Sequence, residues 1–346
     1  MAFVRNQWYV AAWGHELGRS LLARRILGDP LVLYRTERGE PVALADRCSH
    51  RLMPLSMGKL IGDRIQCGYH GMEFDCAGRA VRVPNQDRVP ANAFVRRYPV
   101  IERMGMIFIW TGDPEKAVGV EPHIVPQWGA KGWTLSTGPL THIKANYQLL
   151  TENLADPTHV NFVHPTSLGS AAGADILPEF AQQGEVVTVT RWIPDAPAVP
   201  ILQRFGRWPG HVDRWQYYYL YPPSTAIIDV GSHPTGGERS DEARQRGLRI
   251  YSCHYVTPET EGATHYFWFQ LRNFALDDPA VSREMTEQFI SVFAEDVVLL
   301  EAIQAAEDDP ATARHRTSLA LDQSSVRLRR IVARMIEDEQ RAEAAS

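Results

Sequence analysis

The chain has 346 residues, 44% of them hydrophobic, and a formal net charge of −5 at pH 7. That length suits about two domains, each with its own core, and the acidic balance supplies no basic surface for a nucleic-acid partner. No apolar run approaches the ~18 residues of a membrane span, and Arg5, Asn6 and Gln7 break the opening too early for a signal peptide, so a cytoplasmic protein without membrane contact is expected.

The first part of the chain, residues 1–115, is dense in short strand-like runs at 30–34, 42–44, 64–66 and 106–110, punctuated by Gly, Pro and Asp. It predicts a small all-β domain that ends at the turn Thr111-Gly-Asp-Pro114. Within it stand Cys48-Ser-His50 and Cys67-Gly-Tyr-His70, sixteen residues apart. Each loop offers one thiolate and one imidazole. That pairing suits a Rieske [2Fe–2S] cluster, in which one iron takes two Cys and the other two His. The alternative is a structural zinc site with a Cys2His2 donor set, although zinc fingers group Cys with Cys and His with His. Gly58, Gly68, Gly71 and Gly78 let the two loops turn tightly. Cys76 and Cys253 remain, and a reducing compartment argues against pairing them. Cys76 reads as a small buried residue near the cluster.

The second part, residues 116–346, mixes helices and strands. Residues 146–163 read mainly as helix, interrupted at Pro157. Strands are predicted at 185–192, 214–221, 225–230, 248–256 and 264–274, many of them alternating as half-buried antiparallel strands do. The Gly-rich, charged tract 236–247 reads as an exposed loop. Helices close the chain at about 280–306 and 324–342. The order predicts an α+β fold, an antiparallel sheet flanked by helices.

A second constellation runs Asn153-Leu-Ala-Asp156-Pro-Thr-His159-Val-Asn-Phe-Val-His164. His159 and His164 can share a metal only if the helix bends, because positions five apart do not share a face; Pro157 supplies a reason to bend. The alternative makes Asp156-Pro157 a plain helix start, with Asp as cap. Two His and one carboxylate form the facial set of mononuclear non-haem iron(II), which leaves positions open for dioxygen. Asp296 falls in the apolar stripe Phe289, Phe293, Leu300, Ile303 of the helix at 280–306, where a carboxylate needs a compensating charge. A metal supplies it; a buried Arg is the alternative. Glu295 is the second choice as ligand. On the strand at 248–256, His254 shares a face with Leu248, Ile250, Ser252 and Val256. It is a candidate substrate contact, or else a core His with satisfied nitrogens. Tyr217, Tyr219, Phe267 and Phe269 are candidates for an aromatic wall, with simple core packing the alternative favoured for most of them, and Arg204, Arg207 and Arg214 for anion guidance, with ordinary exposed Arg of no special role as the alternative.

With Cys48-x-His50-Arg51, Cys67-x-x-His70-Gly71, Asn153-x-x-Asp156-x-x-His159-x-x-x-x-His164 and Glu295-Asp296 in view, the chain resembles the terminal oxygenase component of Rieske non-haem iron oxygenases over nearly its whole length. Within them it is most similar to the vanillate O-demethylase and dicamba demethylase-like group, a likeness added to by Phe3-Val-Arg-Asn-Gln-Trp-Tyr-Val10, Thr257-Pro-Glu-Thr260 and Arg272-Asn-Phe274. The resemblance implies a Rieske domain followed by a helix-grip, START-like catalytic domain. It implies a cluster on Cys48, His50, Cys67 and His70 and iron(II) on His159, His164 and Asp296. Asp156 would bridge His159 to a cluster histidine of an adjacent subunit in a head-to-tail homotrimer, and Asn153 would lie near the iron without ligating it. Electrons would come from NAD(P)H through a separate flavin and iron–sulfur reductase, since the chain shows no Gly-rich phosphate cradle of its own. The expected reaction uses O2 for O-demethylation or hydroxylation of a small aromatic acid, a vanillate-like aryl methyl ether first, with an aryl-sulfonate methyl-group monooxygenase or an N-demethylase as alternatives. A Rieske electron carrier without catalytic iron and a zinc-stabilised binding module are the readings from other classes.

Overall fold

The computed structural model describes residues 3–345 except 166, 170 and 312–316. By contacts the chain forms two compact units: Met1–Ile124 with Thr257–Glu261, and Val125–Val256 with Gly262–Ser346.

The first unit is built from short strands in three sheets. One has the order β1 (Trp8–Trp13), β11 (Met106–Trp110), β10 (Val100–Arg103). A second runs β2 (Leu22–Ile26), β3 (Asp29–Arg35), β4 (Pro41–Ala45), β9 (Arg97–Tyr98). The third runs β5 (Lys59–Ile61), β6 (Arg64–Gln66), β7 (Glu73–Phe74), β8 (Ala80–Arg82). Alternating Val, Leu, Ile and Tyr fill two cores. One gathers Tyr9, Leu31, Leu33 and Ile107, and the other gathers Val32, Tyr34, Leu44 and Phe74 around Cys48 and Cys67. Residues 116–124, read with the second part of the chain in the sequence, group with this unit. Ala117 is buried there, and Trp8 donates its indole N–H to the Val120 carbonyl at 2.7 Å.

The second unit is one large sheet with helices. Its strands are β12 (Thr134–Thr137), β13 (Thr141–Ile143), β14 (Glu179–Gln183), β15 (Val186–Ala196), β16 (Val212–Tyr221), β17 (Thr225–Pro234), β18 (Leu248–Thr260) and β19 (Ala263–Arg272). The order is β12-β19-β18-β17-β16-β15-β14, with β13 also on β19. Strands β14 to β18 pair antiparallel in sequence order, as consecutive hairpins do. The helices are α1 (Tyr147–Asn153), α2 (Val160–Val163), α3 (Pro200–Gly206), α4 (Asp241–Arg246), α5 (Pro279–Asp308) and α6 (Gln323–Ala344). Helix α5 starts where Asp278 accepts the Ala280 N–H at 2.9 Å and Pro279 takes the first turn.

Three details differ from the sequence reading. The tract 236–247 is not all loop: Ser240 caps α4, and Arg244 turns inward to Asp229 at 2.6 Å, with Arg249 on the same carboxylate. A buried carboxylate demands such partners. On α5 the buried face runs Phe289, Val292, Phe293, Asp296, Leu300 and Gln304, while Ile303 is exposed. Cys76 is only half-buried, with its thiol near the Asp63 carbonyl and the Tyr34 hydroxyl.

Candidate metal centres and the cavity beside them

In the first unit the two Cys–His loops are built alike. The Cys48 N–H donates to the Met53 carbonyl at 2.8 Å, and the Cys67 N–H to the Met72 carbonyl at 2.8 Å. Each Cys carbonyl accepts from the residue four positions on, Leu52 in one loop and Gly71 in the other. Both of those residues take positive φ, 57° and 73°. Gly71 adopts that conformation without cost, whereas Leu52 is strained in it. Gly58 is needed for a different reason: a Cβ there would lie 2.1 Å from the Gln66 carbonyl oxygen. The result is two buried thiols side by side and two exposed imidazoles whose ring centroids are 4.7 Å apart. Burial pushes the Cys48 thiol up, and the neighbouring Cys67 adds to it. An iron cluster that takes up both thiolates relieves that cost. The donor set therefore fits a [2Fe–2S] group whose imidazole side faces outward.

In the second unit the segment 147–164 does not continue as one helix. Helix α1 ends at Asn153, and a turn carries Asp156. The Asp156 carboxylate accepts from the Thr158 N–H at 2.7 Å and the Thr158 hydroxyl at 2.5 Å. It is an Asx-type turn, not a helix cap, since His159 stands at the cap position of α2. The turn is held from outside. Arg191 donates to the Pro157 carbonyl at 2.7 Å, and the Ser324 hydroxyl to the Ala155 carbonyl at 3.1 Å.

This bend brings the two imidazoles together. The His159 Nε2 lies 3.6 Å from Asp296 Oδ1, and the His164 Nε2 lies 3.2 Å from the same oxygen. The three ligand atoms fall within 4.8 Å of one another. The far nitrogens are committed elsewhere. His159 Nδ1 donates to the Asp156 backbone carbonyl at 2.5 Å, and His164 Nδ1 donates to Glu295 Oε2 at 2.5 Å. Both acceptors lack a proton to give, so both rings carry hydrogen on Nδ1 and turn Nε2 toward Asp296. Such outer partners are what orient metal-ligating histidines. Burial pulls His159 below its ordinary pKa, partly opposed by Asp296. Burial also pulls on His164, but hydrogen bonds to Asp296 and Glu295 outweigh it and raise that ring.

Several expectations change here. Glu295, the second choice as ligand, is half-exposed and serves His164 instead. Asp296 meets Asn153, whose amide donates at 3.0 Å, and the two imidazoles; the buried-Arg alternative has no counterpart among its bonds. The Asp156 carboxylate does not meet His159, because the backbone carbonyl of Asp156 takes that place. His254 is buried, with Nδ1 2.6 Å from the Tyr266 hydroxyl and Nε2 2.8 Å from the Ser252 hydroxyl. Burial pulls its pKa down to about 3, so the ring is neutral.

Beside the three clustered residues lies a cavity enclosing about 870 Å³ of non-atom space, part of it open to solvent. Its floor is one face of the sheet. Cross-strand rows Gln216–Val230–Ile250 and Tyr218–Ile228–Ser252 lie next to His254, with Phe289, Val292 and Phe293 of α5 opposite. The aromatic wall is therefore Trp215, Tyr218, Phe289 and Phe293, not Tyr217, Tyr219, Phe267 and Phe269. Both faces of β19 are buried, so alternation could not phase that strand. Of the three arginines, Arg204 pairs with Glu284 at the surface, Arg207 ends α3, and Arg214 is buried against the cavity. Arg191, which the sequence reading passed over, is 1% exposed and holds both the 157 carbonyl and the Gln216 side chain. Its position in a strand rich in Val and Thr was the available signal.

Comparison with known proteins agrees with both halves. The Rieske [2Fe-2S] domain family matches residues 7–99, and the vanillate O-demethylase oxygenase C-terminal domain family matches residues 143–338. A putative toluene-4-sulfonate monooxygenase iron-sulfur subunit of Comamonas testosteroni is 40% identical over 310 residues, covering 87% of this chain and 88% of the relative. The dicamba O-demethylase oxygenase component of Stenotrophomonas maltophilia is 35% identical over 352 residues, covering 100% of each. The crystal structure of dicamba monooxygenase bound to dicamba superposes with a TM-score of 0.88 at 32% identity over 100% of both chains. Among the described residues no helix is long and apolar enough to cross a membrane. The Rieske and catalytic domain matches exclude both the zinc-stabilised module and the simple electron carrier, and with a [2Fe–2S] domain followed by a mononuclear iron domain the chain belongs to the Rieske non-haem iron oxygenases, as the oxygenase component of a multicomponent monooxygenase.

Proposed function

We propose that this oxygenase component acts on a small aromatic acid and oxidises a methyl group carried by the ring, a vanillate-like aryl methyl ether first. The observation that carries the reading is the convergence of His159 Nε2, His164 Nε2 and Asp296 Oδ1 at one end of an apolar cavity. Cys48, His50, Cys67 and His70 hold the cluster, and His159, His164 and Asp296 hold the iron. When bound there, the cluster supplies single electrons and the iron supplies dioxygen activation for insertion of one oxygen atom into a C–H bond, the other leaving as water. An aryl methyl ether so hydroxylated is a hemiacetal, which collapses to a phenol and formaldehyde.

The chain's own residues place and shield that chemistry. Asn153 donates to Asp296 and holds the carboxylate in one orientation. Glu295 and the Asp156 carbonyl fix the two rings. Phe289, Phe293, Ile228 and Ile250 exclude water from the ring-binding space. His254, neutral and with both ring nitrogens bonded to Ser252 and Tyr266, serves as a wall of the cavity and takes the core-histidine alternative over a direct substrate contact. The Asp156 carboxylate reaches a cluster histidine of an adjacent copy in a head-to-tail homotrimer and couples the two metal sites. Electrons arrive from NAD(P)H through a flavin and iron–sulfur reductase, and the protein works in the cytoplasm. The toluene-4-sulfonate relative favours a second substrate reading, hydroxylation of a ring methyl on an arylsulfonate.

The experiment is a substrate screen with a surrogate reductase and NADH, following oxygen uptake and formaldehyde. Coupled oxygen uptake with formaldehyde supports the demethylase reading. Coupled uptake with an alcohol product from toluene-4-sulfonate supports the second. Uptake without product from any aryl acid rejects both.

A further inference from the structure

Several polar groups that line the cavity are committed to the protein itself. Asn153 gives its amide to Asp296. Ser252 and His254 close on each other at 2.8 Å. Arg214 turns to the backbone carbonyls of Pro197 and Leu168. Two residues of β16 differ. Gln216 and Tyr218 stand two apart on the sheet face that floors the cavity. They are 6% and 3% exposed, so their polar ends meet the cavity and little else.

Arg191 orients the first of them. A guanidinium has only protons to give, so the carboxamide oxygen of Gln216 must be the atom that meets Arg191 Nε at 2.7 Å. The NH2 is turned away from Arg191, and no group among the described residues accepts from it. The Tyr218 hydroxyl likewise has no hydrogen-bond partner among the described residues. Neither donor belongs to the unpartnered atoms sealed in the core, so both open into the cavity. Burial raises the Tyr218 phenol above its ordinary pKa, with Arg191 opposing and Asp156 and Asp296 adding to the rise, so the hydroxyl keeps its proton. The same guanidinium fixes where these donors lie. Arg191 holds the Gln216 oxygen and also the Pro157 carbonyl, two residues before His159, at 2.7 Å. The Gln216 amide is therefore within one guanidinium's span of the turn that delivers His159, at the metal-binding end of the cavity. Its cross-strand neighbours Val230 and Ile250, and Ile228 beside Tyr218, offer apolar side chains. Donors facing such a space stay unmet by hydrocarbon and are satisfied by an oxygen.

We propose that the Gln216 NH2 and the Tyr218 hydroxyl read an oxygen bonded to the methyl carbon that is oxidised, and so select aryl methyl ethers over methyl groups carried directly on the ring. This deepens the reading above and rests on it for the aromatic acid and the oxidised methyl. In an aryl methyl ether the oxygen is one bond from the reacting carbon, so donors at the metal-binding end meet it. A ring methyl offers only carbon there and leaves both donors unpaired. A site built to hydrogen-bond its substrate rejects the analogue without the acceptor far more strongly than an apolar pocket separates two similar shapes.

The test measures binding by calorimetry to the intact, metal-loaded protein without reductase. The probes are 4-methoxybenzoate and 4-ethylbenzoate, which share ring, length and carboxylate and differ by one ether oxygen against one CH2. In a purely apolar cavity the extra CH2 favours the ethyl acid ~4-fold. The wild type is expected to reverse that order and hold the methoxy acid at least ~3-fold more tightly. Tyr218→Phe keeps the ring and is expected to move the ratio at least ~5-fold toward the ethyl acid. Gln216→Glu keeps an oxygen for Arg191 but puts a second oxygen where the NH2 was, and is expected to move the ratio the same way. The ratio cancels any general loosening of the cavity, which weakens both acids alike. A wild type that prefers the ethyl acid or holds the two equally, or a ratio that either variant leaves in place, overturns the donor pair. Should one variant not fold, the wild-type order and the other variant decide. A wild type that binds neither acid overturns the pair together with the aromatic-acid reading. The expected binding order without formaldehyde from fully loaded, reduced enzyme counts against the proposed reaction and leaves the pair in place; formaldehyde without that order does the reverse.

Discussion

His164 and Glu295 are joined by a 2.5 Å hydrogen bond from the imidazole Nδ1 to a carboxylate oxygen, and that bond dictates that the other ring nitrogen faces Asp296. Two adjacent residues of α5 thus divide the work: Asp296 turns an oxygen toward both imidazoles and Glu295 orients one of them.

Glu295→Gln keeps an oxygen acceptor for His164 but removes the charge. Charge-assisted bonds are roughly twice as strong as neutral ones, and outer partners of metal ligands are worth ~10- to 100-fold in metal affinity. Competition with a chelator should show mononuclear iron held at least ~10-fold more weakly, with the cluster spectrum unchanged. Unchanged affinity would mean that Glu295 does not orient the ring.

Arg191→Met removes donors from the Pro157, Gly173 and Gln216 oxygens. Each buried acceptor left unmet costs ~1–3 kcal/mol, and the Pro157 carbonyl belongs to the turn that brings His159 to His164. The variant should lose stability by ~2–5 kcal/mol in urea unfolding and should lose mononuclear iron before cluster iron. Retention of both at wild-type levels contradicts this role.

The site was legible where it is local. The Cys–His loops and the His159/His164 segment are short, and their donor chemistry narrows what they can bind. Asp296 could be picked out because a carboxylate on a buried helix face needs compensation. The partners were not legible. Glu295, Arg191 and Tyr266 reach the site across 131, 34 and 12 residues of sequence from His164, Pro157 and His254. The cavity wall failed for a different reason: β16 and β19 carry large side chains on both faces, and the alternation has no phase until the sheet is assembled. Helix α4 was hidden because its inward residue is an Arg, whose partner Asp229 sits on another strand.

The depressed pKa of His254 has a stability consequence. Its folded value is about 3 against an ordinary 6.5. Below 6.5 the unfolded chain takes up a proton at this ring and the folded chain does not, so folding stability falls as pH drops from 6.5 toward 3. His254→Gln lacks that titration. Its urea midpoint should decline less steeply with acid than that of the wild type; parallel declines would show that His254 is not held neutral.

Asp156→Asn preserves the oxygen that accepts from Thr158 and leaves the backbone carbonyl on His159 untouched. Both metal sites should fill normally. If the carboxylate links to a cluster histidine of a neighbouring copy, single-turnover reoxidation of the pre-reduced cluster should slow at least ~10-fold. Normal reoxidation leaves Asp156 with a turn-forming role alone.

The central claim is that His159, His164 and Asp296 form a second metal site separate from the cluster. Iron counted per chain, together with the visible spectrum, tests it in one comparison of wild type and Asp296→Ala. The account predicts about three irons for the wild type and about two for the variant, with identical cluster absorption, from the stoichiometry of one mononuclear ion and one two-iron cluster. An Asp296→Ala protein that keeps its third iron, or a wild type that never holds more than the cluster's own, would contradict it.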